Sequence, residues 1–252
     1  MDLQLEGKIA VVVGGSSNIG RACSLRLVEE GAKVVIAYSS NDEKARQSLA
    51  DMHAVCGNDC ACAFKCDATK EKQVDALFAY TIEKFKKIDI LIFSAMLWPT
   101  NMVKDIPLDE WQRTLDINLT GVFLTNRWVT RYWVEKKMPG KILNFSSQAA
   151  FKGSTTFHAH YAAAKAGVVA FTVSLAREMG KYGIVANAVA PGMTLTPGTM
   201  SEQEMEYYKT RIPMGRIGTP QEMADIVTFL VSPKNSYMLG ATVDVSGGML
   251  MR

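Results

Sequence analysis

Ser147, Tyr161 and Lys165 are the residues whose types and spacing best suit proton chemistry. Tyr161 and Lys165 stand four apart in His160-Tyr161-Ala162-Ala163-Ala164-Lys165-Ala166-Gly167, at the start of a predicted helix. Residues at that spacing share one helix face. An ammonium beside a phenol favours the phenolate, so the tyrosine pKa is expected to fall from about 10 toward neutrality. A phenol tuned in this way can act as a general acid or base. Taken alone, the pair is also an ordinary solvated-face pattern. Ser147 changes the weighting, because Asn144-Phe145-Ser146-Ser147 ends a predicted strand. In a parallel sheet, strand ends and the following helix starts meet on one rim.

A second cluster lies near the start of the chain. Gly14-Gly15-Ser16-Ser17-Asn18-Ile19-Gly20 joins the first predicted strand to a helix opening at Arg21. A glycine turn in this place lets the backbone approach a pyrophosphate, whose charge a helix N-terminus stabilises. The spacing departs from G-x-G-x-x-G, and a glycine turn also serves simply to reverse a chain. At the end of the second predicted strand, dinucleotide folds usually carry an acid for the ribose hydroxyls of NAD. Here Ala37-Tyr38-Ser39-Ser40-Asn41 has no acid before Asp42. That permits a 2′-phosphate, with Ser39 and Ser40 as donors and Lys44 or Arg46 adding charge. NADP(H) is therefore preferred over NAD(H).

The elements that must position these residues show as apolar runs alternating with helical patterns. Predicted strands cover Ile9–Val13, Val34–Tyr38, Ala61–Cys66, Ile90–Phe93, Lys141–Phe145, Ile184–Ala190 and Thr242–Val245. They are continuous apolar runs more than in-out alternations, as expected for strands covered on both faces. Predicted helices cover Ile19–Glu30, Glu43–Ala54, Lys72–Lys86, Leu108–Lys137, Ala159–Lys181 and Pro220–Val231. Repeated β-α-β units imply an α/β fold, a single-domain doubly wound parallel sheet of about seven strands with helices on both faces. One domain accounts for residues 1–252, within which residues 193–215 form an excursion at a strand end, suited to a substrate loop or lid.

Composition sets outer limits. The 252 residues are 48% hydrophobic and 21% charged, ordinary globular values. The net charge of +3 is too mild for a nucleic-acid binder. Neither a secretory leader nor an apolar run of membrane-spanning length is evident, so the expectation is a cytoplasmic protein with no membrane partner. Of five cysteines, Cys56, Cys60, Cys62 and Cys66 cluster without zinc-ligand spacing. No metal is expected. Cys62 and Cys66 read as buried strand residues, and free thiols are expected in a reducing compartment.

Together these features resemble the short-chain dehydrogenase/reductase family, from about Gly7 to Met249. The family's T-G-x3-G-I-G pattern is similar to Val13-Gly14-Gly15-Ser16-Ser17-Asn18-Ile19-Gly20. The resemblance implies a Rossmann-like sheet and reversible hydride transfer between NAD(P)(H) and a small-molecule ketone or secondary alcohol. It assigns Asp67, with Ala68, to the adenine ring. Asn118, Ser147, Tyr161 and Lys165 match the family's catalytic tetrad. By that likeness Ser147 holds the carbonyl oxygen, Tyr161 is the acid/base and Lys165 holds the nicotinamide ribose. Asn118 anchors a proton-relaying water. Pro191, Gly192, Thr194 and Thr196 resemble the segment that holds the carboxamide.

Departures from the pattern are Val13 for threonine, Asn18 for glycine, and Phe93-Ser94-Ala95-Met96 where the family usually has N-N-A-G. Asn18 is expected to keep the turn in a left-handed conformation. Val13 and Phe93 are expected to replace a polar link by an apolar contact. Met96 should narrow the pocket beside the nicotinamide. Candidate substrate residues are Met96, Leu97, Trp98, Ser147, Gln148, His158, Tyr161, Met193 and the stretch 200–208. They suggest a fairly apolar substrate of small to medium size, with His158 more readily a structural loop residue than an orienting group. One alternative is a β-ketoacyl-acyl-carrier-protein reductase, with Arg131 and Arg177 facing an acidic carrier. An alternative of another class is a non-catalytic dinucleotide-binding redox sensor. Family resemblance also implies a homo-oligomer, a tetramer, in which Trp128, Tyr132 and Trp133 serve either an interface or the core.

Overall fold

The computed structural model describes residues 1–154, 156–195 and 200–251. Seven strands form one sheet: β1 (Ile9–Val13), β2 (Lys33–Tyr38), β3 (Ala61–Lys65), β4 (Ile90–Phe93), β5 (Gly140–Phe145), β6 (Ile184–Pro191) and β7 (Thr242–Val245). Their order is β3-β2-β1-β4-β5-β6-β7, with every neighbouring pair parallel. The apolar runs are explained by this burial: all five residues of β1 and all four of β4 are buried. Strand residues alternate between two cores. Val12, Ile36 and Ile92 face one, with helices α1 (Asn18–Glu29), α2 (Asp42–Cys56) and α9 (Pro220–Val231). Val11, Val35 and Leu91 face the other, with α3 (Glu71–Phe85), α5 (Gly121–Lys136) and α7 (Ala159–Met179). This is the period-two geometry of a strand covered on both sides.

Strands β1, β4 and β7 and helix α9 begin and end where the sequence pattern places them, and the other long elements agree to within a residue or two. Helix α9 shows why: Thr219 and Glu222 form a reciprocal capping box, and Pro220 opens the first turn. Three differences matter. The predicted helix 108–137 is instead α4 (Leu108–Leu115), a π turn over Asp116–Thr120, and α5. The excursion at 193–215 contains a helix, α8 (Glu202–Lys209), started by a Ser201–Glu204 capping box. A short α6 (Ala149–Lys152) follows β5.

The free-thiol expectation is corrected for one pair. Cys56, ending α2, and Cys60, just before β3, form a disulfide across the turn 57–59. Their Cα atoms lie 5.9 Å apart, within ordinary disulfide range. Cys62 and Cys66 are free and buried, as expected. Trp133 belongs to the core, fully buried with its indole N–H donating to the Ile88 carbonyl at 2.7 Å. Among the described residues no helix is long and apolar enough to cross a membrane.

Candidate active site

Strand order reverses between β1 and β4, and the carboxyl ends on either side of that point open a crevice. One cleft of about 1230 Å³ occupies it. Its walls take in Gly14 and Ser16–Ile19, Tyr38–Ser40, Asp67 and Ala68, Ser94–Met96, Trp98, Ser147, Gln148, His158, Tyr161, Lys165 and Pro191–Thr194. Of the expected site residues, Gly20 and Asn118 stand behind this surface, and Thr196 lies outside the described residues.

The glycine turn is held by close packing. Gly14 has φ +81°, and a Cβ there would come within 2.7 Å of the Ala95 nitrogen. A Cβ on Gly20 would collide with the Gly14 carbonyl. Asn18 adopts φ 48°, the left-handed conformation expected of it. Ser17 at the N-cap of α1 makes no side-chain capping bond, and the first turn carries no acid. The first amide groups of the helix thus remain free to receive an anion. Val13 and Phe93 are register partners on β1 and β4, both buried in one apolar cluster, so the apolar link stands where the sequence places it.

At the end of β2 the nearest acid is already engaged. The Asp42 carboxylate accepts from Tyr38 Oη at 2.9 Å and from Lys65 Nζ at 3.0 Å. These bonds, that of Lys65 first, hold its carboxyl below the usual carboxylate range. Arg46 pairs with Glu43, whereas Lys44 lines the cleft and has no ion pair among the described residues. Asp67 shapes its own turn, accepting from Thr69 N at 3.0 Å and Thr69 Oγ1 at 2.7 Å.

β5 and α7 bring the reactive groups together. Ser147 follows β5, with its hydroxyl beside the Tyr161 phenol. Lys165 lies behind them, fully buried, donating from Nζ to the Phe145 carbonyl at 2.7 Å. Nζ is 5.6 Å from the centre of the Tyr161 ring. The expected depression of the tyrosine pKa is not found. Burial pushes the Tyr161 phenol up to about 12 against the opposing influence of the Ser147 hydroxyl, and burial pushes the Lys165 ammonium down to about 7. Removal from water disfavours charge on both groups.

Asn118 sits in the π turn, and its side chain is fully committed to protein. Nδ2 donates to the Leu97 carbonyl at 2.8 Å and the Thr114 carbonyl at 2.9 Å. Oδ1 accepts from Leu97 N at 3.3 Å. The side chain therefore holds the loop after β4 against the π turn. That loop is clamped a second time. His158 is buried with Nδ1 2.6 Å from the Pro99 carbonyl, and its ring stacks on Trp98 at 4.3 Å. Burial lowers its pKa, so it reads as a structural residue that sets the Trp98 wall.

Sequence reasoning missed a third tie. Asn101 donates to both oxygens of Glu110 at 2.9 and 3.0 Å, and Glu110 meets His160 Nε2 at 3.2 Å. No local pattern signals a contact between residues fifty apart. Asp109 and Arg113 of α4, Lys152 and Met249 also line the cleft unannounced. Two polar atoms of cleft residues, Thr194 Oγ1 and Gln148 Oε1, are buried with no hydrogen-bond partner among the described residues. Free helix amides, an unpaired lysine and an orphaned Thr194 hydroxyl together fit a phosphorylated dinucleotide with a polar carboxamide end.

Known proteins show the same plan. A family model described as enoyl-(acyl carrier protein) reductase matches residues 13–250. A 3-oxoacyl-[acyl-carrier-protein] reductase from Synechocystis sp. is 36% identical, with 98% of each chain covered. A 3β-hydroxysteroid dehydrogenase 1 from Eggerthella lenta is 38% identical over 98% of this chain and 95% of its own. Among solved structures, a short-chain dehydrogenase from Bacillus anthracis superposes with a TM-score of 0.91 at 31% identity, covering 98% of both chains. A short-chain type dehydrogenase/reductase from Mycobacterium marinum gives 0.93 at 30% identity, over 99% of this chain and 98% of that one. With its parallel sheet, its glycine turn and its relatives in agreement, the chain belongs to the short-chain dehydrogenase/reductase family, oxidoreductases that act on CH–OH groups.

Proposed function

We propose that this enzyme moves a hydride reversibly between NADP(H) and a ketone or secondary alcohol of small to medium size and fairly apolar character. The observation that carries the reading is the Ser147–Tyr161 hydroxyl pair at the cleft, with Lys165 buried behind it. The bound dinucleotide supplies or accepts the hydride. Ser147 donates a hydrogen bond to the substrate oxygen, where negative charge develops during reduction. Tyr161 gives that oxygen its phenolic proton in reduction and takes the proton back in oxidation. A neutral phenol with a raised pKa is already in the protonation state that reduction needs. Lys165 would hold the ribose, and Asn118 keeps the β4 loop against the π turn.

Gly14, Ser16, Ser17, Asn18, Ile19 and Gly20 would cradle the pyrophosphate, and Asp67 with Ala68 the adenine. Ser94, Ala95 and Met96 would flank the nicotinamide, with Pro191, Gly192, Thr194 and Thr196 at its carboxamide. Preference for NADP(H) is supported by the engaged Asp42 and the unpaired Lys44 beside Ser39 and Ser40. Residues 193–215 would cover the substrate as a lid, hinged where Thr194 bridges Gly218. The reading places the enzyme in the cytoplasm as a homotetramer built on α5 and α7. The assembled tetrad and the family speak against a non-catalytic sensor.

A second reading, β-ketoacyl-acyl-carrier-protein reduction, is favoured by one observation. Arg131 and Arg177 are exposed and have no ion pair among the described residues, as a docking site for an acidic carrier requires. Turnover of a carrier-linked β-ketoacyl substrate, lost in Arg131→Glu, would select it. The broader proposal is tested by following NADPH and NADH consumption with cyclic, aromatic, steroid and β-ketoacyl ketones. Turnover of a ketone class with NADPH favoured is the expected result. Tight NADPH binding without turnover of any class would count against it.

A further inference from the structure

Cys56 ends α2 and Cys60 precedes β3, at the rim of the sheet opposite the cleft. Their disulfide closes a ring of only five residues, which takes little freedom from the unfolded chain. The turn it crosses is already tied without it. Gly57 N donates to the His53 carbonyl at 2.9 Å, and His53 Nε2 lies 3.0 Å from the Ala61 carbonyl. The opened form is provided for as well. As thiols, Cys56 would donate to the Met52 carbonyl at 3.1 Å and Cys60 to the Gly57 carbonyl at 3.0 Å. A disulfide whose reduced form is stabilised is the more easily reduced. Access is one-sided: Cys60 is buried, whereas Cys56 is half-buried beside the exposed turn Gly57-Asn58-Asp59.

We propose that Cys56–Cys60 is a redox-active pair, not a staple, and exchanges electrons with small thiols and disulfides of the glutathione class. An incoming thiolate attacks the Cys56 sulfur and forms a mixed disulfide. Cys60 leaves with the bonding electron pair and takes up a proton. A second thiolate attacks the small-molecule sulfur of that mixed disulfide, releasing the small disulfide, and Cys56 is protonated to a thiol. Two small thiols are thereby oxidised to one disulfide, and two electrons and two protons reach the pair. The reverse sequence, begun by a small disulfide, closes the ring again. Cys23, Cys62 and Cys66 are free and buried and take no part. Both states keep the fold, so the pair follows the thiol balance around the protein. Disulfides in a reducing compartment, where the reading above places the enzyme, usually serve in this way.

The test equilibrates the native protein, without oxygen, in glutathione buffers running from wholly reduced to wholly oxidised. Each sample is quenched with acid and alkylated with a maleimide in denaturant. Peptide mass spectrometry should find Cys56 and Cys60 both alkylated at the reduced end and both protected at the oxidised end. Cys23, Cys62 and Cys66 should be alkylated throughout. The change should reverse when the buffer is exchanged, with near-ultraviolet circular dichroism constant. Given oxidised glutathione, Cys60→Ser should capture one glutathione on Cys56 at least about tenfold faster than Cys56→Ser captures it on Cys60. Protection of both cysteines in reduced glutathione alone would show a staple and overturn the inference. So would alkylation of both in oxidised glutathione alone, or unfolding on reduction. Faster capture by Cys56→Ser would overturn the order of attack. None of these results bears on hydride transfer, which belongs to the other rim of the sheet.

Discussion

At Tyr161 and Lys165, burial works against charge on both groups, and the consequences reach beyond catalysis. The Lys165 amine has a pKa of about 7 in the folded chain against 10.5 when free. Below neutrality the folded state must carry a buried ammonium; between about 7 and 10.5 the unfolded state binds the extra proton. Stability of the cofactor-free protein should therefore rise with pH across that window. Lys165→Met removes this cost and should stabilise the chain at pH 7 by about 2–4 kcal/mol while abolishing turnover. The gain should fade as pH approaches 10.5. Chemical denaturation at pH 7 and pH 10 checks it, and an equal gain at both would refute the argument. The Tyr-x3-Lys spacing was legible in the sequence, as was left-handed Asn18. The charge states were not, because they depend on how deeply the fold buries both groups: the ammonium is left with the Phe145 carbonyl and the phenol is removed from water.

Between elements, the site depends on how the β4 loop is tied to α7 and to the π turn. Asn118 meets three backbone groups through one amide, so Asn118→Ala takes this partner from the half-buried Leu97 N–H and carbonyl and from the buried Thr114 carbonyl. A loss of about 2–4 kcal/mol is expected, read from the denaturant midpoint. The Asn101–Glu110–His160 tie is less central to folding and closer to Trp98. Asn101→Ala should raise KM for the ketone several-fold with kcat and NADPH affinity little changed; a fall in kcat alone would speak against a positioning role. Strand positions were legible because fully buried runs leave a continuous apolar signature. Val13 and Phe93 could be paired in advance since parallel register sets them side by side. The π turn was not legible, because no local pattern in an otherwise helical stretch marks it. Nor was the Cys56–Cys60 bond, which a three-residue turn brings about.

Across the whole molecule, one reversal of strand order gathers the glycine turn, the ribose end of β2 and the Ser147–Tyr161 pair into a single crevice. That convergence was readable from β-α alternation alone; the lining contributed by α4 and Met249 was not, since helix orientation above the cleft is set by packing. At the ribose end, Lys44→Ala should weaken NADPH binding about tenfold and leave NADH binding nearly unchanged, as expected for one charge-assisted phosphate contact. Titration of the two cofactors by fluorescence reads this directly. Phe123 on α5 is 41% exposed, and in the proposed tetramer it would meet a second copy. Sedimentation should report a tetramer that Phe123→Asp shifts toward smaller species. The central claim is that Tyr161 moves the proton. Tyr161→Phe should bind NADPH as the native enzyme does and reduce a ketone accepted by that enzyme at least about a hundredfold more slowly, the typical worth of a positioned acid. Ketone reduction at the native rate in that variant would contradict the account.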